Sequence, residues 1–369
     1  MRHADAATRA KEASEASTSG AESIELQASG APRIELGSSE IGPSGPGPGG
    51  GLRGRLFVWL QYVLPQHGLS RLVLLATRVR APWFKNLLTR GFLRLFAVDM
   101  SEAVEPDPYR YRSFNEFFTR ALRPDARPID PDPDAIVSPA DGAVSECGVL
   151  EHDRLIQAKG RDYRVGDLLA GHGWARSFEG GSFATIYLAP FNYHRVHMAI
   201  RGSLFDTVYV PGRLFSVNTV TAQHVPNLFA RNERVLALFE TDFGRFALVM
   251  VGALNVGSIA TVWAGDITPG LATSGAVRPG VVVPTAATPR GRVRAAGRAV
   301  THIPSSTVTL DKGDELGRFN MGSTVILLFE PNRAQWHPLL RAGSVVQLGQ
   351  AIGRRVMSGT GQRPTAGLG

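Results

Sequence analysis

What most constrains this chain is the string of short, β-type apolar segments that follows Pro139. Phe183–Leu188, Val196–Ile200, Val235–Thr241, Phe246–Val251, Ser258–Trp263, Thr307–Leu310 and Thr324–Glu330 are four to seven residues long and rich in Val, Ile, Phe and Thr. Helical periodicity is sparse from Asp141 to Gly369. Segments of that length cannot bury a helical stripe, but they can pair as strands. The expectation is an α+β protein whose main domain is antiparallel β, a partly closed barrel or a sandwich. Residues 270–305, rich in Gly, Pro, Ala and Thr, read as at least one long loop.

The segment before the β region has a different character. Residues 51–98 read as two or three short amphipathic helices, broken at Pro65, Gly68 and Pro82. Leu56, Trp59, Leu60 and Val63 share a face, as do Leu69, Leu72, Val73 and Ala76, and Trp83, Phe84, Leu87, Leu88 and Leu95 repeat the pattern. No apolar run reaches the roughly 20 residues that span a bilayer. Further on, Ser113-Phe-Asn-Glu-Phe-Phe118 reads as the capped start of a short helix.

Charge separates this segment from the rest. The net charge is +8, from 40 basic and 32 acidic residues. Residues 51–98 hold Arg53, Arg55, Arg71, Arg78, Arg80, Lys85, Arg90 and Arg94 and no Asp or Glu, so the remaining 321 residues balance at 32 against 32. Basic residues among tryptophans and leucine stripes fit helices lying in an anionic membrane interface. A helical cap packed on the following domain is the other reading. Nucleic acid is disfavoured, because the charges alternate with leucine stripes and not with exposed polar and aromatic residues.

Residues 1–50, dominated by Ala, Ser, Glu and Gly, read as a disordered tail without the apolar core of a signal peptide. The domain expectation is therefore 1–50, 51–98 and 99–369. The single cysteine, Cys147, excludes an intramolecular disulfide and fits a reducing compartment. His194 and His197 could pair on a metal, but no third ligand is evident, and no metal is expected.

Three segments set polar groups beside apolar strands: Ser138-Pro-Ala-Asp141-Gly142, Tyr193-His194-Arg195-Val196-His197 and Gly322-Ser323-Thr324. If the second enters a strand near Val196, its histidines need not share a face, which favours separate roles. Asp, His and Ser together can activate a hydroxyl, the base taking its proton and the acid orienting the base. The Gly322-Ser323 bond adds a second option. A serine hydroxyl can attack the preceding carbonyl, which glycine leaves uncrowded, and turn an amide into an ester. Alone, each motif fits an ordinary turn.

Together they resemble the pyruvoyl-type phosphatidylserine decarboxylases. The resemblance runs from about Leu52 to Gly349 through Ser113–Phe118, Ser138–Gly142, Tyr187-Leu-Ala-Pro-Phe-Asn-Tyr-His-Arg-Val-His-Met198 and Pro211–Asn218. It continues through Val225–Arg234, Val251–Ser258 and Gly317-Arg-Phe-Asn-Met-Gly-Ser-Thr324. The usual cleavage signature is Leu-Gly-Ser-Thr; Met321 stands for the leucine here, a change of similar volume.

This resemblance implies a self-processing proenzyme. Ser323 attacks Gly322, with His197 as base and Asp141 orienting it, and β-elimination yields a β chain of residues 1–322 and an α chain of residues 323–369. Ser323 becomes an N-terminal pyruvoyl group, whose ketone forms a Schiff base with phosphatidylserine and accepts the electrons left as CO2 departs. His194 handles a proton or positions the carboxylate, and the product is phosphatidylethanolamine. The implied partners are phosphatidylserine, anionic lipid and the two chains of one proenzyme, with a homodimer as a possible assembly. The implied site is the cytoplasmic side of the inner membrane, held peripherally. The rivals are an uncleaved Ser-His-Asp lipid hydrolase, whose Gly-x-Ser-x-Gly mark is absent around Ser323, and a non-enzymatic membrane-binding β module.

Overall fold

A computed structural model describes residues 52–158, 161–254, 258–267, 292–295, 298–303, 308–322 and 324–356. The expectations for residues 1–50 and for Ser323 itself fall outside the described residues, as does most of the 270–305 loop.

The strands that position the site are β1 (Gly142–Val149), β2 (Ser182–Tyr187), β3 (Arg195–His197), β4 (Gly202–Val210) and β5 (Arg234–Thr241). They continue with β6 (Gly244–Val251), β7 (Ile259–Thr261), β8 (Glu315–Phe319) and β9 (Thr324–Phe329). The main sheet has ten strands, and its path runs β4, β5, β6, β9, β2, β1. Strands 292–295 and 298–303 lie beyond β4, and strand 345–346 lies beyond β1. A smaller sheet orders strand 265–266, β7, β8 and β3. These ladders are antiparallel.

The expected α+β class and antiparallel pairing hold, but the barrel does not. The end strands of the main sheet, 292–295 and 345–346, do not pair with one another, so the sheet stays open. Strand β9 is central: Thr324 through Phe329 pair with Val251–Phe246 on one side and Tyr187–Ser182 on the other. All six residues are buried, which explains why the run is apolar without alternation. Register places Val345, Ala143, Tyr187, Thr324, Val251, Arg234 and Val210 in one row across the sheet. The residues just beyond this row define the end of the sheet where the three motifs meet.

Three helices precede the sheets: α1 (Leu52–Val63), α2 (Gln66–Thr77) and α3 (Pro82–Leu95). Pro65 and Pro82 mark the starts of α2 and α3, as expected, because proline suits a first turn. Gly68 does not break the chain; it lies in the first turn of α2. The described faces are inverted relative to a globular protein. Gln61, Gln66, Ser70, Thr77, Lys85 and Thr89 are buried, whereas Trp59, Leu72, Trp83, Leu87 and Leu95 are each more than 60% exposed. Hydrogen bonds account for the buried polar face. Gln66 Oε1 accepts from Leu214 N (2.9 Å), Gln61 Oε1 from Ser216 N (2.7 Å), and Arg78 pairs with Asp266 at 2.6 Å. The helices pack on the domain through polar groups, as the cap reading expects, and leave leucine and tryptophan outward. No helix among the described residues is long and apolar enough to cross a membrane.

A short helix, α4 (Phe114–Phe118), forms as expected, with Ser113 Oγ accepting from Glu116 N at 3.2 Å. Phe114, Phe117 and Phe118 form a second small core against Leu88, Phe92 and Leu93 of α3 and Met321. This core fixes the approach to the Gly322-Ser323 bond.

Candidate active site

The three polar segments converge at one end of the main sheet. Ala143 and Thr324 both pair with Tyr187, so Asp141-Gly142 and Gly322 lie just outside adjoining rungs. Gly142 is required there: a Cβ would stand 2.4 Å from Tyr187 O. The His194–His197 segment joins through the smaller sheet, where His197 pairs with Glu315 and Phe319 N donates to His194 O. His197 N also donates to Pro139 O at 2.8 Å, which ties the histidine strand to the Asp141 turn.

Within this frame the side chains divide into two groups. Asp141 is bound by Arg127, whose Nε and Nη2 donate to it at 3.0 and 2.7 Å, and by Leu348 N at 2.9 Å. Arg127 also forks onto Glu102 at 2.8 Å. His197 donates from Nδ1 to Gly313 O (2.7 Å), and its Nε2 accepts from the Tyr193 hydroxyl (3.1 Å). Asp141 and His197 are thus neighbours through backbone, but no hydrogen bond joins their side chains. The Gly313 carbonyl fixes the His197 tautomer and leaves Nε2 as the basic nitrogen. Burial first, then the Arg195 charge, lowers the His197 pKa; the Gly313 bond and the Glu315 charge oppose the shift.

His194 occupies different surroundings, in keeping with separate roles. Its ring is fully buried and lies 4.1 Å, centroid to centroid, from Phe118. Nδ1 donates to Asn192 O at 2.8 Å, and Nε2 has no partner among the described residues. A Cβ placed on Gly322 would stand 2.8 Å from that Nε2. The bare nitrogen therefore faces the bond singled out for cleavage. Burial, followed by the Arg120 charge, pushes the His194 pKa down to about 3, so the imidazole is neutral at physiological pH. Thr324 Oγ1, one residue past Ser323, is buried and likewise unpartnered.

The loop that delivers Gly322 is braced. Asn320 Nδ2 donates to Ser258 Oγ and Asp266 Oδ1, at 2.6 and 2.9 Å. Asp266 is the residue that α2 grips through Arg78. Met321 then adopts φ +137° and packs on the α4 phenylalanines. A non-glycine residue there carries about 1–3 kcal/mol of backbone strain. Sequence reading did not find Arg127, Arg120 or this strain. The Tyr193 contact lay inside a recognised motif, but its tyrosine carried no assigned role. Among the described residues, no group of three or more His, Cys, Asp or Glu is placed to hold a metal.

Comparison with known proteins agrees with this picture. Residues 114–354 match the family described as phosphatidylserine decarboxylase, and residues 56–97 match one described as PSD. The phosphatidylserine decarboxylase proenzyme of Pseudomonas fluorescens is 51% identical over 303 residues, covering 82% of this chain and 98% of that protein. The corresponding proenzyme of Pseudomonas putida is 49% identical over 308 residues (83% and 100%), and that of Azotobacter vinelandii 49% over 304 residues (82% and 99%). With about half of the aligned residues identical along nearly the whole of these relatives, this chain belongs to the phosphatidylserine decarboxylase family.

Proposed function

We propose that the chain is a phosphatidylserine decarboxylase proenzyme that cuts itself between Gly322 and Ser323. The observation that carries this reading is the unpartnered, neutral Nε2 of His194 facing Gly322, beside the unpartnered Thr324 hydroxyl. Two buried polar atoms without protein partners flank the position at which a reactive group would form. Buried polar atoms are usually hydrogen-bonded, and these two belong to residues next to the bond in question.

In maturation, Ser323 Oγ bonds to the Gly322 carbonyl carbon, the C–N bond breaks, and the freed amine takes up a proton. Loss of the Ser323 α-hydrogen and rupture of its Cβ–O bond release Gly322 as a carboxylate. Water then replaces the nitrogen of the resulting dehydroalanine, releasing ammonia and leaving a pyruvoyl end. His197 serves as the base for the first step: its Nδ1–H is held by Gly313, so Nε2 can receive the serine proton once the Tyr193 hydroxyl yields it. Asp141, held by Arg127, acts on His197 through its charge and as an anchor for the strand, through the His197 N to Pro139 O bond. Hydrogen bonding on both flanks of β9 keeps residues 323–369 attached to residues 1–322 after the cut.

A pyruvoyl group at 323 supplies an electron sink for loss of CO2 from a bound amino acid. His194, whose Nε2 lies against Gly322, then positions the substrate carboxylate or passes on a proton during decarboxylation. The lipid substrate stays in the bilayer. The outward leucine and tryptophan face of α1 to α3, with exposed Arg71, Arg80, Arg90 and Arg94, supports a peripheral seat on an anionic membrane surface, which the reading assigns to the cytoplasmic side.

The test is intact-mass spectrometry of purified wild-type and Ser323→Ala proteins, alongside CO2 release from phosphatidylserine. Wild type should give two pieces, the smaller beginning with a residue that lacks its nitrogen. Ser323→Ala should give one full-length, inactive chain; normal fragments from that variant overturn the proposal.

A further inference from the structure

Among the described residues, the arginines of the interior are well matched by partners, Arg120 excepted. Arg234 donates to four backbone carbonyls, those of Asp167, Leu168, Ala230 and Asn232. Arg127 is shared by two carboxylates, and Arg195 pairs with Glu315 at 2.8 Å. Arg120 is 5% exposed, donates one long bond from Nη2 to Phe191 O (3.3 Å), and leaves Nε without a partner. No ion pair to it exists among the described residues. A guanidinium carries five donors and a charge, and leaving it so poorly matched in a buried position is costly.

Its location indicates what would complete it. Arg120 follows Phe118, whose ring packs on His194, and its single bond reaches the same loop whose Asn192 carbonyl holds His194. Its charge acts on His194, and Tyr111, Asp141, Glu102 and Tyr193 lie within its electrostatic reach without forming an ion pair with it among the described residues. Arg120 Nε, His194 Nε2 and Thr324 Oγ1 are thus buried, unsatisfied polar atoms on elements that meet around Gly322. One is a cation, one a neutral base and one a hydroxyl. Phosphatidylserine brings complementary groups: a phosphodiester, a carboxylate and an amine.

We propose that Arg120 is the anion subsite of the decarboxylase, its guanidinium receiving an oxyanion of the phosphatidylserine headgroup. This rests on the decarboxylase reading above. A forked guanidinium is suited to two oxygens of a phosphate or carboxylate, which a lysine cannot reproduce. The phosphodiester is the better candidate, since it survives the reaction and its binding can orient the serine moiety without stabilising the carboxylate that must leave.

Arg120→Gln and Arg120→Lys test this with soluble short-chain phosphatidylserine. Both should mature into two pieces with melting temperatures near wild type. In Arg120→Gln, KM should rise about 10- to 100-fold, the loss expected for a charged hydrogen bond, with a smaller change in kcat. Competition by glycerophosphoethanolamine, which lacks the carboxylate, and by L-serine, which lacks the phosphate, identifies the oxyanion. Only the ligand that touches Arg120 should weaken in the variant. Unchanged KM and unchanged inhibition by both ligands in a matured Arg120→Gln enzyme overturn the proposal. If Arg120→Gln stays uncut, Arg120→Lys decides: a wild-type KM there overturns it as well. A wild-type enzyme inactive on phosphatidylserine refutes the underlying function instead, so the two failures are distinct.

Discussion

Gly322→Ala isolates the contact on which the site depends. The added Cβ would stand 2.8 Å from His194 Nε2, against about 3.4 Å for ordinary contact, so roughly 0.6 Å must be found. His194 cannot yield it easily, being fully buried, bonded to Asn192 and stacked near Phe118. The 321–322 backbone must move, carrying the scissile carbonyl with it. A misplacement of about 1 Å can cost on the order of 100-fold in rate, so 0.6 Å predicts about 10- to 30-fold slower cleavage, or ~1.4–2 kcal/mol of barrier. Pulse-chase expression followed on a denaturing gel measures that rate directly. The double variant Gly322→Ala/His194→Ala removes the obstacle and should recover most of the cleavage rate while remaining unable to decarboxylate. Cleavage of Gly322→Ala at the wild-type rate would refute the placement of His194 against this bond. Failure of the double variant to recover would show that crowding by the imidazole is not the cause.

Two further outcomes can be measured. Folded His194 titrates near pH 3 and an unfolded imidazole near 6.5, so below pH 6.5 the unfolded chain gains a proton that the folded one refuses. Stability from this residue is therefore complete above pH 6.5 and lost as pH falls toward 3, by about 2 kcal/mol at pH 5. Urea titrations at pH 7.5 and 5 should show that His194→Gln lacks this part of the loss, and an identical pH slope in both proteins contradicts the neutral, buried assignment. On the helices, Trp83→Ser with Leu87→Ser should sharply reduce cosedimentation with phosphatidylserine-containing vesicles without impairing self-cleavage; unchanged binding removes α3 from the membrane contact.

The fold was most legible where both flanks of a strand are covered. Val235–Thr241, Phe246–Val251 and Thr324–Glu330 fall within a residue or two of β5, β6 and β9, because a strand buried on both faces must be apolar throughout. Gly202–Val210 gave no such signal: Ser203 and Asp206 interrupt it, and a bulge between Leu204 and Asp206 breaks the alternation. Glu315–Phe319, not among the expected strands, forms β8, with the Glu315 charge met by Arg195 from the adjacent strand. Barrel closure was also illegible, since it depends on whether two distant edge strands meet and not on the composition of either.

The site divides along the same physical line. Asp141, His194, His197 and Gly322 stand in compact motifs, because a turn or a strand end fixes each locally. What each side chain touches depends on other elements: Arg127 from a proline-rich stretch holds Asp141, the Gly313 carbonyl holds His197, and α4 supplies the Phe118 floor under His194. The basic helices reach the site by the same logic, since Arg78 of α2 binds Asp266, which binds Asn320, two residues before Gly322. Arg120 is the extreme case. Its informative property is the ion pair it lacks among the described residues, and only the assembled surroundings of a buried charge can show which of its donors are left unmatched.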